Sequence, residues 1–183
     1  MKWIIDKTIE GCYGHRVHNQ QLIEEFSQMT VCKCKRLHGH QLTLKVFLEA
    51  DHLESGMVTD FHHLNWLKKF IDDYIDHKFI VDIRDPLYSN FIPEHVKLKP
   101  LYVLGVVAPT GFIVDIDQKI GGLPIKDTDR EWYESFFVVT FVPTSENLSK
   151  WIFDIASEKM VKLGKITRVD WHETPKSRAS YQN

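Results

Sequence analysis

No stretch of this 183-residue chain approaches the about 18–20 consecutive apolar residues of a membrane-spanning helix, so no membrane partner is expected. Charge of one sign is also missing: 23 basic residues face 25 acidic ones, for a net charge of −2. Such a balance creates no global field to recruit nucleic acid or an anionic membrane. Cysteine is scarce. Cys12, Cys32 and Cys34 form no even disulfide framework, which points to a reducing cytoplasm, where thiols persist and can act as nucleophiles or bases. The opening residues Met1-Lys2-Trp3-Ile4-Ile5-Asp6 meet an acid too soon for a signal peptide. There is no internal repeat and no low-complexity run. The 43% hydrophobic share suffices for one sizeable core, so residues 1–183 are expected to form a single domain.

What is present is a strand with chemistry at one end. In residues 38–50 the even positions read His, His, Leu, Leu, Val, Leu, Ala, and the odd ones are mostly polar. Period-two alternation marks a half-buried strand, and it puts His38 and His40 on the buried face. Inward imidazoles need a metal or hydrogen-bond partners, because buried polar groups left unpaired are costly. Cys34 lies four residues before the pair, and a thiol near a cation is readily converted to thiolate.

Elsewhere, residues 3–9 alternate as a strand with Trp3, Ile5 and Ile9 on one face. That strand continues toward Gly11-Cys12-Tyr13-Gly14-His15, where the two glycines leave the parity of His15 open. Residues 16–37 form a polar connection. Asp60 caps a helix through about Ile75, with Phe61, Leu64, Leu67, Phe70, Ile71, Tyr74 and Ile75 as its apolar stripe. Residues 83–142 change character and read as an insertion broken by Pro86, Pro93, Pro100 and Pro109. Within it, 101–107 and 112–116 suggest a hairpin around Pro109-Thr110-Gly111, and 136–142 another short strand. A second helix follows Pro143-Thr144-Ser145-Glu146. Residues 166–173 form a strand with Val169, Trp171 and Glu173 on one face, and 178–181 a last one. Without the insertion the order is strand, strand, helix, helix, strand, strand: an α+β domain with a four-stranded antiparallel sheet and two helices on one face.

A catalytic zinc takes three protein ligands and keeps one position for water or substrate. His38 and His40 supply two. His15 ends a strand that could lie beside theirs, and His18 is its nearest competitor. Two blander arrangements remain open: a structural zinc completed by Cys32 and Cys34, and a pair of core histidines with no metal. On the residues alone, Asp76 and His77 follow a helix, where histidine often serves only as a dipole partner. Glu146 fits the same role at a helix start, Thr144 or Ser145 an N-cap, His62 and His63 the surface, and Cys12 a small core position.

Cys34-Lys35-Arg36-Leu37-His38-Gly39-His40 resembles the C-x-x-x-H-G-H signature of the 6-carboxytetrahydropterin synthases, within the 6-pyruvoyltetrahydropterin synthase (tunnelling-fold) family. Other motifs follow in that family's order. His15-Arg16-Val17 is similar to its A-H-R-L segment, and residues 56–61 to its G-M-V-x-D-F. Residues 75–79 resemble its L-D-H segment, 143–148 match P-T-S-E-N-L, and 172–175 match its x-E-T segment. The resemblance covers about two-thirds of the chain.

It implies Zn2+ on His15, His38 and His40, and a proton-transfer set of Cys34, Asp76 and His77. Glu173 would anchor a pterin, with Thr144, Ser145 and Glu146 nearby. The implied substrate is 7,8-dihydroneopterin triphosphate. The implied assembly is a homo-oligomer, trimers stacked into hexamers, with sites between subunits. Pyruvoyl-forming relatives carry the cysteine six residues before H-G-H and carboxy-forming relatives four before. This chain has both, Cys32 and Cys34. The gap-free match favours Cys34 and a carboxy product, made on the route to 7-deazaguanines such as queuosine. A pyruvoyl-forming enzyme and a non-catalytic zinc- or pterin-binding protein are the alternatives.

Overall fold

The longest alternating segments pair with each other. In a computed structural model describing residues 2–27, 31–103 and 106–183, the strands are β1 (Trp3–His15), β2 (His38–Ala50), β3 (Lys78–Asp82), β4 (Leu98–Val103), β5 (Val106–Val114), β6 (Lys119–Ile120), β7 (Leu123–Pro124), β8 (Phe136–Val139), β9 (Lys165–Thr174) and β10 (Ser177–Gln182). The helices are α1 (Asn65–Tyr74), α2 (Tyr88–Phe91), α3 (Asp127–Glu134) and α4 (Ser145–Met160). β1 and β2 run antiparallel without a register break, from Trp3 opposite Ala50 to His15 opposite His38. Ile9, Tyr13 and His15 are all buried, so the odd face of β1 points inward through this stretch and the glycines do not change its parity.

β9 pairs with β2 and β10 with β9, both antiparallel, which completes the expected four-stranded unit. That unit is only half of the sheet. Eight strands run in the order β10-β9-β2-β1-β3-β8-β5-β4, and the sheet is mixed, because β3 is parallel to both β1 and β8. The expectation of four antiparallel strands is therefore corrected: residues 83–142 do not simply decorate a finished sheet but extend it.

β8 falls within the short strand expected at 136–142, whereas β3 is not expected, and burial of both on two faces hides their place in the sheet. In β3 and β8, Ile80, Phe137 and Val139 enter the core under α1 and α4. Their neighbours Val81, Phe136 and Val138 enter a second core with Ile92, Val96, Val114, Ile125 and Tyr133. A strand buried on both sides shows a continuous apolar run, not alternation. The insertion hairpin exists as β4 and β5, but Pro109-Thr110-Gly111 lies within β5 rather than at the turn. The strands close through Val103 opposite Val106, and Leu104 and Gly105 lie outside the described residues. Pro100 sits at a register shift in β4, the edge strand, where a missing N–H disrupts no ladder.

Both expected helices are present. The Asp60 carboxylate accepts the His62 N–H at 2.7 Å and starts a 3-10 turn, Phe61–Leu64, that leads into α1. Thr144 caps α4, its hydroxyl accepting the Asn147 N–H. No helix among the described residues is long and apolar enough to cross a membrane.

An ionic cluster ties the segment after His15 to the start of 83–142. Arg84 forks onto Asp82, with Nε and Nη2 each 3.0 Å from a carboxylate oxygen, and His18 Nε2 lies 3.2 Å from the same group. Arg16 approaches Asp85 at 3.2 Å. Burial pushes the Asp82 carboxyl up, but hydrogen bonds from Arg84 and His18 outweigh it and hold it below the usual carboxylate range. A depressed folded-state pKa contributes stability above the ordinary value near 4, and that stability is lost as pH falls through the folded value. Asp82→Asn should therefore lower stability by about 2 kcal/mol at neutral pH, as expected for hydrogen bonds to charged groups. In thermal melts the gap from the wild type should shrink as pH drops from 6 toward 3; a pH-independent gap would contradict this assignment.

Candidate metal centre

The β1–β2 register makes the site. His15 stands directly opposite His38, and Tyr13 directly opposite His40, so three imidazoles share one face at one end of the hairpin. Their ring centroids are 4.6, 5.1 and 4.9 Å apart, and one nitrogen from each lies within 4.8 Å of the others. His15 is fully buried; His38 and His40 are half-buried. Gly14 lets β3 close in behind, since a Cβ there would lie 2.6 Å from Phe79 Cδ2.

The outer nitrogens fix the rings. His15 Nδ1 lies 2.5 Å from the Pro143 carbonyl, and His38 Nδ1 lies 2.8 Å from the Arg36 carbonyl. A carbonyl can only accept, so each Nδ1 carries a proton, and in the neutral form of the ring Nε2 presents a lone pair. The two Nε2 atoms are nevertheless 3.1 Å apart, and between neutral rings no proton is left to bridge them. The His40 Nε2 is buried with no hydrogen-bond partner among the described residues, and buried polar atoms of that kind are rare. A shared cation removes both anomalies: a tetrahedral zinc with bonds of about 2.0 Å places its nitrogen ligands about 3.3 Å apart. Burial pushes the His15 imidazole down to about 4, against the pull of the Pro143 carbonyl and Glu173. Burial also lowers His40. Both rings are thus held in the neutral form that metals bind.

Tyr13 walls the site. Its ring packs edge-on against His15 at 5.2 Å, and its hydroxyl accepts the Trp171 indole N–H at 2.9 Å. Glu173 Oε1 stands 3.8 Å from His15 Nε2, so the predicted pterin anchor sits at the rim of the triad. Among the described residues, no thiol joins the triad.

Cys34 occupies a 3-10 turn, Lys33–Lys35, where its N–H points to Cys32 Sγ at 3.4 Å. Its carbonyl accepts the Val17 N–H at 2.8 Å, which stitches the thiol segment to the residues just after His15. Burial, then Cys32 and Glu173, push the Cys34 thiol up. His18 turns away to Asp82 and does not join the triad.

Asp76 and His77 do form a pair, at 2.9 Å, but the thiol beside them within one chain is Cys12, not Cys34. Cys12 Sγ lies 3.4 Å from Asp76 Oδ1 and 3.6 Å from His77 Nε2. No periodicity signal separates this cysteine from a small core residue, and only its place one step of alternation from Tyr13 hints that it faces elsewhere. Of the 143–146 segment, Thr144 caps α4, Ser145 is buried and Glu146 is exposed. Its closest link to the triad is the Pro143 carbonyl, which side-chain motifs do not reveal. Cys12, His38, His40 and His77 all line one open cleft of about 690 Å3.

An α+β sheet whose central hairpin gathers three convergent imidazoles beside an open cleft fits a class of proteins able to hold a metal ion at that point. The chain belongs to the 6-pyruvoyl tetrahydropterin synthase family, whose pattern matches residues 4–183. It is 34% identical over 194 residues to the 6-carboxy-5,6,7,8-tetrahydropterin synthase of Aquifex aeolicus (strain VF5), covering 100% of this chain and 99% of that protein. Its fold is similar to an uncharacterized protein from Wolinella succinogenes, with a TM-score of 0.90 and 40% identity over 100% of this chain and 99% of the other. The 6-pyruvoyl tetrahydropterin synthase of Caenorhabditis elegans shares the fold, with a TM-score of 0.57 and 19% identity over 100% and 96% of the two chains.

Proposed function

We propose that the protein is a zinc-dependent 6-carboxy-5,6,7,8-tetrahydropterin synthase. In this reading it converts 7,8-dihydroneopterin triphosphate, with release of acetaldehyde and triphosphate, on the route to 7-deazaguanines such as queuosine. The observation that carries the reading is the thiol-free triad of convergent imidazoles, in a chain similar over its full length to a protein of that name. His15, His38 and His40 would hold the ion, which supplies Lewis-acid polarisation of side-chain oxygens and so acidifies the neighbouring C–H bond.

The chain's own residues do the rest. Cys34 is the base that takes a side-chain proton, acting as thiolate once a cation is near. Asp76 orients His77, which holds or returns a proton at the other side-chain positions. Glu173 accepts paired N–H groups of the pterin ring in a fork. Thr144, Ser145 and Glu146 flank that ring. His77 is 80% exposed, which suits a ring that serves the metal centre of a neighbouring subunit. Among the described residues, 3–12 of β1 have no partner on the β3 side, since β3 pairs only with 13–15, and β10 is the opposite edge. Open edges invite pairing, and a ring of copies, a trimer or a hexamer, closes them.

The test is to incubate zinc-loaded protein with 7,8-dihydroneopterin triphosphate and identify products by mass, with a trap for aldehydes. Acetaldehyde and a carboxypterin are expected. A pyruvoyl product without acetaldehyde would install the pyruvoyl-forming alternative, and zinc binding without turnover would leave only a binding protein.

A further inference from the structure

The Cys12, Asp76 and His77 side chains bring one sulfur, one oxygen and one nitrogen ligand within 4.8 Å of one another. The edges at sulfur are 3.4 Å to Asp76 Oδ1 and 3.6 Å to His77 Nε2, while the other ring nitrogen, Nδ1, lies 2.9 Å from Asp76 Oδ2. A tetrahedral zinc with bonds of about 2.3 Å to sulfur and about 2.0 Å to nitrogen and oxygen has edges of about 3.5 and 3.3 Å. The two edges at sulfur already have the required length, and the third closes when the His77 ring turns toward the Asp76 carboxylate.

The backbone holds the arrangement independently of the side chains. Cys12 N–H donates to Asp76 Oδ1 at 2.7 Å, and His77 N–H donates to the Cys12 carbonyl at 2.8 Å. His77 is kept in the left-handed region at φ 57°, a conformation that a non-glycine residue adopts at a cost and that tends to mark functional positions. The cleft in front is lined by Cys12 and His77 together with His38 and His40, which leaves a fourth coordination position open to a water.

We propose that Cys12, Asp76 and His77 form a second, weaker site for a borderline divalent metal such as Zn2+ or Co2+, and that filling it inhibits the enzyme. On binding, the Cys12 thiol releases its proton to solvent and its sulfur lone pair bonds the ion. The ion also takes the His77 lone pair. The site is weaker than the triad because the His77 ring must turn from an exposed position to complete it. The inhibitory half rests on the proposed function, in which His77 moves protons; the binding half does not.

The experiment is a Co2+ titration of the metal-free full chain, reading stoichiometry and the near-ultraviolet thiolate-to-cobalt band. The wild type should bind two equivalents, and the band should grow with the second. Cys12→Ala should bind one equivalent with no band, while Cys34→Ala should keep both. With Zn2+, turnover of the wild type should fall at least tenfold as the second equivalent binds, and Cys12→Ala should retain its activity throughout. A wild type that binds one equivalent, or a second equivalent and band that persist in Cys12→Ala, overturns the site. Two equivalents without inhibition overturns the inhibitory role. Should Cys12→Ala melt early, Asp76→Asn read by stoichiometry and band alone decides the same question. Absent turnover in all proteins would count against the proposed reaction and not against the second site.

Discussion

His40→Ala is expected to weaken first-equivalent zinc binding by on the order of 100-fold or more and to lower turnover by on the order of a thousandfold, because it removes one of only three protein ligands. Its effect on stability should have the opposite character. In the metal-free protein the His40 Nε2 is buried without a partner among the described residues, so truncation removes a polar atom that nothing satisfies and should cost little. The melting temperature of the metal-free variant should stay close to that of the metal-free wild type. Zinc should then raise only the wild type, since a ligand that binds the native state at 100 times its Kd adds about 2.7 kcal/mol. His62→Ala is the control: His62 is exposed and pairs with Asp60, so neither metal affinity nor rate should move. A large loss of stability in metal-free His40→Ala would mean that the imidazole packs or bonds in a way the triad geometry does not account for.

Cys34→Ala carries the second large effect. Loss of a general base lowers rate by about 10^2–10^4-fold, and the variant should show it in kcat, with KM and zinc content nearly unchanged. Cys32→Ala should keep rate within a few-fold. The two thiols share one short turn, where the Cys34 N–H points at the Cys32 sulfur, so the comparison is a fair one: both substitutions disturb the same backbone. If Cys32→Ala is the inactive variant, the base sits six residues before His38 and a pyruvoyl product is expected instead. Loss of zinc from Cys34→Ala would make the sulfur a ligand, and the open coordination position would be gone.

The parts of this centre that are legible in the amino-acid sequence are those encoded by alternation. β2 writes its buried face in even positions from His38 to Leu48, and the triad is that face continued to its end and paired with His15. The helices are equally plain, because Asp60 and Thr144 are cap residues ahead of apolar stripes. What the sequence hides depends on long-range pairing. β8 is legible as a short strand within 136–142, but β3 is not, and because both are short and buried on two sides no alternating face tells where they join, so the extension of the sheet from four strands to eight goes unseen. The Pro143 carbonyl reaches His15 across 128 positions of chain, through an atom that every residue possesses. Cys12 meets Asp76 and His77 only because β1 and the start of β3 converge, a juxtaposition that short motifs read one at a time do not contain. The ordered motifs identify the family, while the geometry shows which thiol lies beside Asp76 and His77 within a chain.

The central claim concerns how the first ion is held. X-ray absorption at the zinc edge, on protein loaded with half an equivalent so that only the tighter site fills, reads it directly. Three imidazole nitrogens and one further light atom at about 2.0 Å, with no sulfur, are expected. A sulfur shell at about 2.3 Å in such a sample, or fewer than three imidazoles, would contradict the account.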